Sequence, residues 1–182
     1  MNKRLLSLGT LFVAGVLSWT LGAAEDHAVA TLPTLRFNAD SVADPFFEQI
    51  QRAPQFQKMT REALGSPLEL RIYHTYRIAR GSAMATGLLG AATLGIIPQV
   101  SSGEHSIVYE VLVNGVLLTS YRYSKALTHA HSLWVQDKTH GLGDEGVKWA
   151  ASTVDLFVKD AAADPKLAAL SAEFDYYFAA TK

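Results

Sequence analysis

Between Arg80 and Glu104 the chain carries no charged side chain, and from Ala83 to Ile97 it is almost wholly apolar. Small residues recur there at every fourth position: Ala83, Gly87, Ala91 and Gly95. On a helix that spacing puts all four on one side, where a second backbone can approach closely. Pro98 would stop such a helix beside Ile97, so the run is roughly 24 Å long, short of the about 30 Å of hydrocarbon in a bilayer. Three placements compete. A transmembrane helix would put the flanking strands on opposite sides of the membrane. A buried crossover helix between neighbouring strands would be apolar all round. An exposed lobe, both ends on the same side, would dip into a membrane or dock on a partner. Interior glycines cost a helix about 1 kcal/mol each against alanine, a cost that membrane insertion or tight packing would offset.

The sequence on either side reads as a folded domain. Leu68, Leu70, Ile72, His74, Tyr76 and Ile78 alternate with Glu69, Arg71, Tyr73, Thr75 and Arg77, the period of a half-buried strand. His74 falls on the apolar side, where a hydrogen-bonded buried histidine is expected. Ile107–Val113 and Val116–Tyr123 are rich in β-branched and aromatic residues, and Asn114-Gly115 between them suits a two-residue hairpin turn. Tyr109, Tyr121 and Tyr123 are expected to pack along this ladder. Asp44-Pro45 opens a short helix, and a second is expected from about Gln55 to Leu64, ended by Gly65. Lys125–His140 reads as irregular. Asp144 or Glu145 opens a helix carrying Val147, Ala150, Val154, Phe157 and Ala161, and a last helix is expected from Pro165 to about Ala179. The fold class is therefore α+β: an antiparallel sheet of three to four strands covered by helices on one face, with the Gly/Ala-rich apolar segment inserted between strands.

The N-terminus has the form of a secretory signal. Lys3 and Arg4 precede an uncharged Leu5–Leu21, and Gly22-Ala23-Ala24 offers a cleavage site. The expected organisation is a signal peptide over 1–24, a linker or extended arm over 25–43, and one domain over 44–182. The expected location is periplasmic or secreted, with membrane association through the apolar segment. With no cysteine, disulfides and thiolate metal sites are excluded, and the core must hold the domain alone. With 16 Lys and Arg against 17 Asp and Glu, the charge gives no footprint for nucleic acid.

Chemistry-bearing patterns are few. His129 and His131, two apart, would share a strand face, and His140, Asp137 or Asp144 would complete a nitrogen and oxygen set for zinc or copper. No Gly-x-Ser-x-Gly elbow or phosphate-binding glycine loop occurs. Neither enzyme activity nor a cofactor is expected. The contact surface is expected on Ala83, Gly87, Leu88, Leu89, Ala91, Leu94, Gly95, Ile96 and Ile97, with an envelope protein or a membrane surface as partner.

An apolar segment closing in Thr93-Leu94-Gly95-Ile96-Ile97-Pro98, followed by a tyrosine-rich hairpin, resembles small uncharacterised envelope proteins of Gram-negative bacteria. The resemblance spans about residues 65–163 and implies an envelope location without supplying a catalytic residue. Many such proteins are lipoproteins, and this chain departs from them in lacking the cysteine. The leading expectation is a non-enzymatic envelope protein acting through contact. The alternatives are a periplasmic metal or small-ligand binder using His129, His131 and His140, and an immunity-type inhibitor of a secreted toxin.

Overall fold

A computed structural model of the chain describes residues 31–62, 65–78, 99–131 and 139–178. The expected signal peptide over 1–24 and the nine contact residues expected from Ala83 to Ile97 lie outside these. The described residues form an α+β fold around one five-stranded sheet. Its strands are β1 (Leu35–Ala39), β2 (Met59–Thr60), β3 (Leu68–Ile78), β4 (Gln99–Val113) and β5 (Val116–His131), in the order β2-β1-β3-β4-β5. The helices are α1 (Phe47–Gln51), α2 (Gly143–Ala162) and α3 (Pro165–Phe178).

The long antiparallel part follows the sequence closely. β3 pairs with β4 from Leu68↔Val113 to Ile78↔Gly103. The hairpin turn takes Asn114 and Gly115 through φ of 51° and 78°, the left-handed pair that Asn-Gly accommodates. Both hairpin arms run further than the apolar residues alone indicate. β5 continues through Lys125–His131, paired with β4 back to Gln99, where an irregular segment is expected. Leu127 faces the core and Lys125 reaches Glu145 on α2 (2.8 Å), so these polar residues are held by neighbours distant in sequence. Gly103 permits a close approach: a Cβ there would lie 2.2 Å from the Tyr76 ring and 2.8 Å from the Arg77 carbonyl oxygen.

The N-terminal third departs from expectation. Leu35–Ala39, inside the expected arm, is a strand parallel to both β2 and β3, so the sheet is mixed and has five strands. The second expected helix is absent. Pro54–Phe56 makes a single 3-10 turn, and Met59 pairs with Leu35 at the sheet edge. Gly65, at φ 72°, turns the chain towards β3 and does not cap a helix. Pairing with β1 satisfies backbone groups that a helix would otherwise satisfy internally.

One face of the sheet carries the core. Leu35, Phe37, Leu68, Leu70, Ile72, Ile107, Tyr109 and Val111 pack there beneath Ile50, Phe56, Ala150, Val154, Phe157, Leu167 and Leu170. Phe157 is its centre. It stacks on Tyr109 (centroids 4.4 Å, 8°), on Phe56 (5.2 Å), and meets Tyr121 edge-on (5.4 Å). The Tyr109 hydroxyl lies 2.7 Å from Thr153 Oγ1, one turn earlier on α2. The three tyrosines are structural, as expected: Tyr121 also donates to Asp164 and Tyr123 to Asp160 (2.7 Å).

No described helix packs on the opposite face. Val108 and Leu112 stand outside the core cluster, yet both are buried, and polar side chains share their face. Asn38 donates to Glu69 (3.0 Å), Arg71 Nε donates to the same carboxylate (3.2 Å), and the Tyr73 hydroxyl donates to Glu110 (2.7 Å). That last bond, with desolvation, raises the Tyr73 pKa. Such half-exposed pairs contribute little stability each. Their effect is to give this face a polar cover without a second helical layer.

Candidate functional site

The topology around the apolar segment constrains it most. β3 ends at Ile78 and β4 begins at Gln99, and the two are antiparallel hydrogen-bonded neighbours with Ile78 opposite Gly103. The connection over 79–98 therefore leaves and rejoins the sheet at the same end. A crossover links parallel strands, and a single membrane pass separates its flanks. The register meets neither requirement. Among the described residues no helix is long and apolar enough to cross a membrane.

Beside that end lies a histidine node that the sequence only half announced. β1 stops at Ala39, and Asp40 turns the chain. Asp40 Oδ1 accepts from the amides of Val42 (3.0 Å) and Ala43 (2.9 Å), and Oδ2 accepts from the His74 amide (2.6 Å). This carboxylate ties the end of β1 to the middle of β3. The His74 ring lies nearly coplanar with His105, edge to edge (centroids 5.1 Å, 9°), with Nε2 2.9 Å from His105 Nδ1. Tyr76 lies over His105 (4.4 Å), which is 2% exposed. His74 is hydrogen-bonded as expected but only half-buried; the buried ring is that of His105. The pairing of His74 with His105 and its tie to Asp40 are not legible in any motif, because only strand pairing brings these residues together, and His105 is buried and not placed to meet lipid headgroups beside the apolar segment.

The bond between the two rings needs one nitrogen as donor and the other as acceptor, so the pair cannot hold two imidazolium charges. Burial lowers the His74 pKa from its ordinary 6.5; Asp40 acts to raise it and His140 to lower it. The unfolded chain therefore takes up this proton first as pH falls. The contribution to stability is complete above pH 6.5 and is lost as pH drops through the lowered folded value. The urea midpoint should fall between about pH 7.5 and pH 5, and His74→Gln should flatten that dependence. An equal pH dependence in the variant would refute this account.

Of the three proposed histidine ligands, only the His140 side chain is among the described residues. His129 and His131 sit near the end of β5 opposite Ser101 and Gln99, and their side chains lie outside the description. His140, at φ 53° in the turn before α2, has its Nε2 3.1 Å from Ser41 Oγ. Among the described residues no group of three His, Asp or Glu side chains is placed to hold a metal. The Ser41–His140 contact places a serine beside a histidine, which the sequence did not indicate. No hydrogen bond to the other His140 ring nitrogen is found among the described residues, so nothing there sets its tautomer as a nucleophilic triad requires.

No protein-family model matches the sequence, and no curated protein matches it significantly. Among solved structures the chain aligns with a Caulobacter crescentus CB15 protein classed as a lipoprotein, at 13% identity over 71% of this chain and 89% of that one, TM-score 0.34. It also aligns with a minor lipoprotein from Acinetobacter baumannii (12% identity, 75% and 92% covered, TM-score 0.32). A third is the rare lipoprotein B from Shewanella oneidensis (10%, 78% and 98%, TM-score 0.31). At such scores the likeness carries no weight for site or activity.

Proposed function

We propose that this chain is a non-enzymatic cell-envelope protein whose folded domain presents the apolar 83–98 segment to a membrane surface. The observation that supports this reading is the antiparallel register of β3 and β4, which brings both ends of the connection to one end of the sheet. A lobe tethered at both ends can enter one leaflet without crossing it, and an uncharged run of this length matches interfacial insertion better than spanning. Arg77, beside the root of the connection, stands where a headgroup phosphate would be met. The signal-like N-terminus supports the same address.

Fractionation of cells expressing the full chain tests it. The mature protein should sediment with membranes, and the double variant Gly87→Arg/Leu94→Glu should move to the soluble fraction with its circular dichroism unchanged. A wild-type protein found wholly soluble would end the proposal. So would a double variant that unfolds, which would mean that the segment is packed inside the domain. Membrane association that pure lipid vesicles fail to reproduce would assign the contact to an envelope protein instead.

A further inference from the structure

The sheet face that no described helix covers holds a second feature. Thr75, Ser106 and Ser124 stand in register across β3, β4 and β5, and Ser106 Oγ lies 2.7 Å from Ser124 Oγ. Two arginines flank this row on the same face: Arg77, two residues along β3, and Arg122, two residues back along β5. With Glu104 they line one groove of about 520 Å³. The other arginines on the face are compensated: Arg36 meets Glu69, and Arg71 meets both Glu69 and Glu110. Neither Arg77 nor Arg122 has a carboxylate within salt-bridge distance among the described residues, although Glu104 is Arg77's cross-strand neighbour.

Two guanidinium groups without a salt-bridge partner among the described residues line one groove with hydroxyls and so form a donor set for an anion with several oxygens. A carboxylate offers two oxygens in one plane and would leave donors unused, whereas a phosphate offers three or more, arranged tetrahedrally. Glu104 adds an acceptor at the rim, suited to a hydroxyl or ammonium group on the same ligand. We propose that this groove binds a phosphate group carried on a hydroxyl- or amine-bearing headgroup. The site goes beyond the membrane-contact reading and stands without it. It lies near the end of the sheet where β3 stops, because Arg77 is the penultimate residue of that strand.

The probe is phosphoethanolamine, with inorganic phosphate beside it, titrated into the full exported chain and followed by amide NMR. Saturable one-site shifts centred on Ser106 and Ser124 are expected. Arg77→Gln/Arg122→Gln should weaken binding about tenfold or more, while Arg77→Lys/Arg122→Lys keeps the charges and should lose less. Flat titrations with both probes, or affinity unchanged in the glutamine variant, would overturn the site. Vesicles of phosphatidylethanolamine and phosphatidylglycerol separate the sources, using the Gly87→Arg/Leu94→Glu background. If the glutamine pair removes residual vesicle binding, the phosphate is a lipid headgroup's. If only the soluble probes respond, it is a free metabolite's, and either result supports the groove. Flat titrations with membrane association intact would fail the groove alone. Saturable binding by a protein absent from membranes would fail the membrane reading alone.

Discussion

Phe157→Ala should destabilise the domain by about 3–5 kcal/mol, the largest loss expected from any single truncation here. The ring is fully buried between Tyr109 and Phe56, with Tyr121 against its edge, so its removal leaves a cavity walled by three other aromatics. Those rings belong to β4, β5 and the N-terminal 3-10 turn and cannot collapse into the space together. The loss would be read as a lower urea midpoint at unchanged slope. Phe157→Leu, which refills much of the volume, should recover more than half of it. A truncation cost below about 1 kcal/mol would show that α2 is not the keystone of the core.

Asp40→Ala comes second, at about 2–4 kcal/mol, and acts on hydrogen bonds with little change in packing. Three backbone amides, those of Val42, Ala43 and His74, lose their acceptor together. The His74 amide is the sensitive one, because it lies in β3 just past the last residue paired with β1. Asp40→Asn keeps one carbonyl oxygen but turns an N–H towards one of these donors, so it should fall between wild type and alanine. Hydrogen exchange at His74 and Ala43 would report the local opening, and protection unchanged in the alanine variant would refute the account. The histidine pair should loosen in parallel, since Asp40 holds the stretch of β3 from which His74 projects.

How much was legible beforehand depends on the range of the interaction. The alternation from Leu68 to Ile78, the Asn114-Gly115 turn and the helical repeat through Ala150, Val154, Phe157 and Ala161 are local patterns, and each became the element it indicated. Leu35–Ala39 was read as part of an arm because five residues are too few to show a period, and their partners lie some 30 positions away in β3. The extension of β5 through Lys125–His131 was missed for a related reason. Its polar residues are tolerated because β4 pairs with them along their whole length, which the composition of β5 alone does not reveal. The metal triplet rests on spacing along the chain, and the side chains of two of its members, His129 and His131, lie outside the described residues. His140 meets Ser41, and the ring partner of His74 is His105, 31 residues further along.

The sequence by itself settled which face of β3 and of α2 turns inward, where the hairpin reverses, and that one uncharged run interrupts an otherwise ordinary domain. Those properties follow from side-chain periodicity and turn chemistry, which act over a few residues. Only the tertiary structure decided that β3 and β4 are antiparallel neighbours, and hence that the apolar connection starts and finishes at one end of the sheet. It alone set Arg77 and Arg122 around a common row of hydroxyls. Periodicity states which side of an element seeks the core; it does not state which neighbour lies alongside, because that choice is made by contacts between residues far apart in the chain.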